Sequence, residues 1–134
     1  MRPELRHKEI THKIIGVFFD VYNELGHGFL ESVYQKALES ALKSAGVEVR
    51  SRVKIPVWFR GQRIGMFEGD VLVEEVILLE LKVARCLERS HIAQLLNYLR
   101  ATNIEVGVLL NFGLKPEFKR LVLDNASKTS RCGN

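Results

Sequence analysis

The stretch from Phe67 to Val83 holds the residues whose types and spacing point most directly to chemistry. Its second half, from Val76 to Val83, is apolar on both faces, as in a buried strand, except at Glu80 and Lys82. These two residues are two apart and therefore lie on the same face of the strand. A buried charge costs several kcal/mol unless it is paired or bound to a metal. The pattern indicates a divalent cation site, with a structural ion pair between Glu80 and Lys82 as the alternative.

Asp70 supplies a second carboxylate if the segments on either side of Glu75 form a hairpin. A two-residue turn would place Asp70 opposite Leu79 and direct Glu80 to the other face. A loop centred on Glu75, or a bulge earlier in the strand, would instead place Asp70 opposite Glu80. We predict this second register, in which two carboxylates and one lysine converge.

The charges around this stretch are separated by sign. Five basic residues and one acid lie between Val47 and Arg63, whereas five acids and no lysine or arginine lie between Ile64 and Leu81. An acidic spot beside a basic strand suits a cation site next to a surface that attracts phosphate, although a solvated hairpin with ordinary surface charges is the alternative. The predicted nucleic-acid-binding residues are Arg50, Arg52, Lys54, Arg60 and Arg63.

Hydrophobic periodicity and turn residues predict the elements that must position these side chains. Pro56 cannot donate to a ladder, so the first strand should be an edge, and Gly61-Gln62 should form the turn after it. The fourth strand follows a helix and should lie parallel to a neighbour. The predicted fold is α/β, or α+β by some schemes, with a mixed central sheet of four to five strands flanked by helices. The helices are predicted over about His7–Glu24, Leu30–Ala45 and Glu88–Ala101, and the strands over Val53–Arg60, Ile64–Val73, Val76–Ala84, Val106–Asn111 and Phe118–Leu123.

Length and composition predict a single domain. A chain of 134 residues, 46% of them hydrophobic, can bury one core, and residues 1–6 and 125–134 are expected to be loose tails. No apolar run is long enough to span a membrane, and no secretion leader is visible. Cys86 and Cys132 are too few for a disulfide framework or a metal knuckle. We expect a cytoplasmic protein that does not contact membranes.

Three more polar side chains fall on the predicted helices. Glu31 lies in the first turn of the second helix, where the helix dipole alone would favour a carboxylate. Gln94 and Tyr98 are four apart on the third helix and share one face, although a polar helix face with a half-buried tyrosine is the alternative. For His91, one turn earlier, contact with the site is the alternative, and it is expected to be solvated or to cap the helix.

The pattern on these elements resembles the PD-(D/E)XK nuclease superfamily. The stretch from Gly28 to Tyr34 is similar to the Gly-x-x-Glu-x-x-Tyr signature of the GxxExxY family within that superfamily. The resemblance extends from about His12 to Val122. It departs from the superfamily name at Gly69, where the name implies proline, and glycine keeps the bend while adding backbone freedom. The residues that carry the resemblance are Glu31, Asp70, Glu80, Lys82, Gln94 and Tyr98.

The resemblance implies a restriction-endonuclease-like core and a metal-dependent nuclease, for which we expect DNA as the substrate, with RNA as the alternative. Mg²⁺ (or Mn²⁺) would lie between Asp70, Glu80 and the Leu81 carbonyl oxygen, and Glu31 would reach it directly or through water.

The resemblance also implies roles for the remaining site residues. Lys82 would stay protonated, hold the attacking water and offset charge in the transition state. Gln94 and Tyr98 would support that lysine and the scissile phosphate.

Two other classes of function remain open. An inactive module on the same fold would bind nucleic acid or a protein partner through the basic strand. A homodimer, or a subunit of a larger assembly, would show an exposed apolar face.

Overall fold

The computed structural model describes residues 6–128, which form a five-stranded mixed sheet with helices on both faces. Across these residues, no helix combines the length and the apolar character that crossing a bilayer requires. The helices are α1 (Lys8–Leu25), α2 (Glu31–Ser44) and α3 (Arg89–Arg100), followed near the end by a short 3-10 helix, Asn125–Ser127. The strands are β1 (Val49–Phe59), β2 (Gln62–Val73), β3 (Ile77–Lys82), β4 (Val106–Phe112) and β5 (Pro116–Val122).

The strands follow one another across the sheet in chain order. All neighbours are antiparallel except β3 and β4, which are parallel and are joined through α3. β1 is an edge strand, and its Pro56 lies opposite Met66. The mixed sheet, the edge position of Pro56 and the parallel β3–β4 pair are therefore all confirmed.

The first two helices cover one face of the sheet. In α1, Ile14, Phe18 and Val21 recur at helical spacing and are buried against the odd-numbered residues of β3 and the even-numbered residues of β4. The Tyr34 ring of α2 stacks on Phe112 of β4, with their centroids 4.4 Å apart. This aromatic contact fixes the start of α2 against the end of β4.

The third helix covers the opposite face. Leu95, Tyr98 and Leu99 of α3 are buried together with Leu78 of β3 and Leu109 of β4. Because side chains alternate along a strand, Glu80 and Lys82 lie on the same side of β3 as Leu78 and therefore face α3.

Beyond the main sheet, β1 and β2 continue as a two-stranded ribbon, which we define as residues 53–69. β2 pairs with β3 only over Val71–Val73, whereas from Gln62 to Gly69 it pairs with β1 alone. The base of the ribbon packs against α3, since Val53 and Ile55 are buried in the same cluster as Leu95. Asp70 lies where the ribbon joins the sheet.

The structure corrects two predictions and adjusts one boundary. The turn of the ribbon consists of Arg60 and Gly61, not Gly61-Gln62, because both have positive φ (49° and 77°) as a two-residue type I′ loop requires. Residues 125–128, expected to be loose, are hydrogen-bonded to the body; for example, the Asn125 N–H donates to Glu105 Oε2 at 2.7 Å. β1 also begins at Val49, four residues earlier than predicted. Residues 1–5 and 129–134, also predicted to be loose, lie outside the described residues.

Candidate active site

Asp70 and Glu80 meet where β2 and β3 leave their shared ladder. The register pairs Leu72 with Leu78 and Val71 with Leu79, as predicted, so the next position brings Asp70 beside Glu80. The Asp70 N–H donates to Glu80 Oε1 at 3.2 Å. The Asp70 carboxylate in turn accepts from the Leu81 N–H at 2.8 Å. These bonds cross-link the two strands through their acidic side chains.

Glu80 is buried, with 3% of its surface exposed. Burial raises the pKa of its carboxyl to about 9, and the negative charge of Asp70 adds to the shift, while Lys82 opposes it. The site therefore holds two acidic side chains, and ionising both of them without a cation costs free energy.

Lys82 extends the same face toward α3. Its Nζ donates to Gln94 Oε1 at 2.6 Å. No carboxylate among residues 6–128 forms an ion pair with it, so its attraction to Glu80 and Glu31 acts over a longer distance. The structural ion pair between Glu80 and Lys82, which was the alternative to a cation site, is absent from this part of the chain, and the amide of Gln94 orients the lysine.

Tyr98 lies one helical turn after Gln94 and is 8% exposed. Its ring packs against Phe67 of the ribbon, with 5.0 Å between centroids. Burial raises the pKa of the Tyr98 hydroxyl, and the negative charges of Glu80 and Asp70 contribute. The tyrosine therefore lies within electrostatic reach of both carboxylates.

Glu31 begins α2 and approaches the site from the other layer. Partial desolvation raises the pKa of its carboxyl, the charge of Asp70 raises it further, and Lys82 lowers it. The loop before it is closed by Tyr34, whose hydroxyl donates to the Gly26 carbonyl and accepts from the Phe29 N–H. The charges of Asp70 and Lys82 therefore act on Glu31. Tyr34 fixes the loop that precedes Glu31.

The sequence reasoning missed two residues that fix this geometry. Gln35 of α2 donates from Nε2 to the Asp70 carbonyl oxygen at 3.0 Å, and Asn111 of β4 exchanges two 2.9 Å hydrogen bonds with the backbone of Ala84. Gln35 follows Glu31 by four residues on the same helix face, which is only a weak signal in the sequence. Asn111 gives a clearer signal, because it is a buried amide in an apolar strand.

The five predicted basic residues lie on β1, the turn and the start of β2. Arg50 pairs with Glu75 and Lys54 with Glu68, each at 3.0 Å. Arg60 extends over the Phe59 ring, 4.9 Å from its centroid. Arg52 and Arg63 are exposed. The structure therefore places three of the five in the ribbon and the other two, Arg50 and Arg52, just before it, and only part of the group is engaged in ion pairs.

His91 is held at the start of α3, as the capping alternative predicts. The Glu88 N–H donates to its Nδ1 at 3.0 Å. This bond directs one ring nitrogen to the helix end.

The donor set fits a hard cation that retains water. Within residues 6–128, no three His, Cys, Asp or Glu side chains are grouped to hold a metal ion, so Glu31, Asp70 and Glu80 do not form a closed cage. Mg²⁺ is commonly bound by one or two carboxylates and several waters, and Asp70 with Glu80 offers that number. The contact seen at Leu81 is through its N–H, and a role for its carbonyl oxygen stays a prediction.

Comparison with known proteins identifies the family. The fold is similar to that in the crystal structure of SSO0001, with a TM-score of 0.54, 21% sequence identity and coverage of 72% of this chain and 52% of that one. The chain thus spans about half the length of SSO0001. The search of curated proteins found no match to this chain. A model of the PD-(D/E)XK nuclease superfamily matches residues 8–121. The mixed sheet with its three helices is a restriction-endonuclease-like core, and the chain belongs to the PD-(D/E)XK nuclease superfamily.

Proposed function

We propose that the protein is a metal-dependent nuclease that hydrolyses phosphodiester bonds in DNA. The observation that carries the proposal is the contact between Asp70 and Glu80, where burial opposes charge on one of two adjacent carboxyls. A divalent cation would neutralise the two carboxylates, and carboxylate oxygens are common ligands of such cations in proteins. Membership of the superfamily supports the same reading. We also assign the chain to the GxxExxY family, because Tyr34 closes the loop that presents Glu31.

Each site residue is then assigned a role. Asp70 and Glu80 would hold Mg²⁺ (or Mn²⁺), with Glu31 and the Leu81 carbonyl as further oxygen donors. When bound, the ion supplies Lewis-acid activation of the phosphodiester.

The remaining roles fall to side chains that face α3. Lys82, oriented by Gln94 at 2.6 Å, positions the attacking water and offsets negative charge in the transition state. Tyr98, within reach of both carboxylates, offers its hydroxyl to the scissile phosphate.

The test is cleavage of supercoiled plasmid, linear duplex and single-stranded oligonucleotides with Mg²⁺ or Mn²⁺. Glu80→Ala and Lys82→Ala should each lower the rate by at least about a hundredfold, as expected when electrostatic stabilisation is lost. Glu24→Gln, an exposed surface change, is the matched control. Equal activity in wild type and Glu80→Ala would rule this site out as the source of cleavage.

A second candidate function is a binding module on the same fold that holds nucleic acid without cutting it. The exposed Arg63 in the ribbon and Arg52 just before it favour this function, because they offer positive charge to a phosphate backbone. Tight, salt-sensitive DNA binding without cleavage in any of the divalent metals would support this function over the first.

Location and assembly are proposed on separate observations. The exposed free thiol of Cys86 supports a cytoplasmic location, because free thiols persist in reducing compartments. The exposed side chains of Phe29 and Leu30 support a homodimer or a place in a larger assembly. Sedimentation velocity of the pure protein tests the homodimer.

A further inference from the structure

The distal half of the ribbon, residues 56–66, is an unusually exposed piece of sheet. None of these residues is buried. Four large apolar side chains are open to solvent there: Trp58 (43% exposed), Phe59 (47%), Ile64 (64%) and Met66 (44%). An isolated two-stranded hairpin is marginally stable in water, so an exposed apolar ribbon points to a binding surface.

The charge of the ribbon favours a polyanion as its binding partner. The segment from Val49 to Phe67 contains five basic residues and no aspartate or glutamate. Within residues 6–128, Arg52, Arg60 and Arg63 form no ion pair, so their positive charge is uncompensated. Exposed aromatic rings interleaved with guanidinium groups that form no ion pair suit nucleic acid better than an apolar protein surface.

The shape of the ribbon favours B-form DNA over A-form RNA. Two paired strands lie about 4.8 Å apart, and the B-DNA major groove, about 12 Å wide, admits a two-stranded β-ribbon. The major groove of A-form RNA is too deep and narrow to be read in this way. The two-residue turn at Arg60 and Gly61 keeps the end of the ribbon narrow. The fit is therefore to double-stranded DNA.

The ribbon is also fixed in distance from the candidate site, because Asp70 lies on the same strand. Gln62 lies eight positions before Asp70, which at about 3.3 Å per residue gives about 26 Å. Base pairs are spaced about 3.4 Å apart along the duplex, so this span, laid along the duplex axis, corresponds to about eight base pairs.

From these observations we infer that the ribbon tip, residues 58–63, enters the major groove of duplex DNA about eight base pairs from the bond that the site would cleave. Arg60 and Arg63 contact phosphates or base edges, and Trp58 packs against the groove wall. This inference rests on the proposed function for its substrate, but it makes a separate claim about binding.

The experiment measures binding in the absence of cleavage. Full-length protein carrying Glu80→Gln is titrated with fluorescent duplex DNA in a chelating buffer, and anisotropy gives the Kd at several salt concentrations. Adding Arg60→Ser and Arg63→Ser should weaken binding by about tenfold or more and reduce the slope of log K against log salt by about 2, since each arginine that no longer neutralises a phosphate lowers the slope by about one unit. Adding Trp58→Ala alone should weaken binding without changing the slope. A control with Lys8→Ser and Lys13→Ser on α1 makes the same change in net charge and should bind within twofold of the parent.

Duplex length and nucleic-acid type complete the test. The penalty of the tip substitutions should appear with hairpin-capped duplexes of 16 base pairs and disappear with those of 6, which cannot span site and tip. Affinity for double-stranded RNA of the same sequence should be insensitive to the tip substitutions.

Three results would overturn the inference. The first is unchanged duplex binding in the tip variants, and the second is an equal loss of affinity for duplex DNA and duplex RNA in those variants. The third is a change from dimer in the parent protein to monomer in the tip variants, measured by sedimentation, which would mark the ribbon as an interface between copies. Because no cleavage is required, failure of the nuclease proposal would be seen separately, in the activity of wild type.

Discussion

At the scale of single residues, burying the Glu80 carboxyl that the proposed chemistry needs lowers the stability of the metal-free protein. Burial and the nearby Asp70 raise the pKa of its carboxyl from the ordinary value of 4.5 to about 9. Below the ordinary value, the carboxyl is protonated in both the folded and the unfolded chain. As the pH rises from there toward the raised pKa, only the unfolded chain loses the proton, so the free energy of unfolding falls.

Glu80→Gln should therefore stabilise the metal-free protein near pH 8 and have much less effect near pH 5. The difference between the two pH values has a ceiling of about 4 kcal/mol, because one pKa unit corresponds to about 1.4 kcal/mol. Urea denaturation in a chelating buffer measures it, with the exposed Glu24→Gln as control. A gain of the same size at both pH values would show that the carboxyl is ionised in the folded state.

Which site residues the sequence could predict depends on how each differs from its neighbours. Glu80 and Lys82 stand out because they interrupt an apolar strand. Gln35 does not, because an amide on a helix looks like any solvent-facing residue, and its bond to Asp70 depends on how α2 lies on the sheet. Asn111 could have been found by the reasoning applied to Glu80, since it is the only polar side chain between Val106 and Phe112.

At the scale of elements, β2 is shaped by the glycine that replaces the proline of the superfamily name. A Cβ on Gly69 would lie 2.7 Å from Leu78 Cδ1 and 3.5 Å from Ile55 Cδ1, and Leu78 is fully buried. A side chain at this position would therefore have to displace the buried Leu78 side chain.

Gly69→Ala should lower the free energy of unfolding by about 1–3 kcal/mol, the usual cost of overpacking a core. Gly16→Ala is the matched control, because a Cβ there meets nothing within 4 Å and the helix interior favours alanine by about 0.5–1 kcal/mol. Chemical denaturation of the two variants compares them directly. A neutral Gly69→Ala would mean that Leu78 moves aside at no cost.

The end of β4 fixes the segment that follows Lys82. Asn111 is fully buried, bonds both backbone groups of Ala84 and also donates to Glu117 Oε1 at 3.1 Å. Asn111→Ala should cost about 1–3 kcal/mol, because buried polar groups lose their partners. The exposed Asn97→Ala on α3 serves as the control for thermal unfolding. Similar melting temperatures for the two variants would contradict this role.

The elements themselves were largely predictable, since apolar spacing differs between helices and strands. The start of β1 at Val49 was not, because Arg50, Ser51 and Arg52 break the alternation. The turn moved by one residue because Arg60 adopts a left-handed conformation that arginine seldom takes, so its position could not be read from residue type.

At the scale of the whole molecule, order should decrease from the centre of the sheet to the ribbon. All seven residues of β4 are buried between the two helical layers, whereas residues 56–66 contain no buried residue. Local opening needs less free energy where it exposes little apolar surface.

Hydrogen exchange should therefore be slowest for the amides of β4 and fastest, among strand amides, for residues 56–66. Exchange of the free protein followed by mass spectrometry or NMR gives the order. Protection of the ribbon equal to that of β4 would mean that a partner, such as a second copy, already covers it.

The two-residue loop at the end of the ribbon also bears on how such a molecule can diverge. Residues inserted in equal number on both sides of Arg60 and Gly61 lengthen the ribbon by about 3.3 Å per added pair and leave the pairing of β2 with β3 untouched. Reach can therefore vary in small increments across evolution, while the acidic pair stays aligned by the separate loop at Glu75.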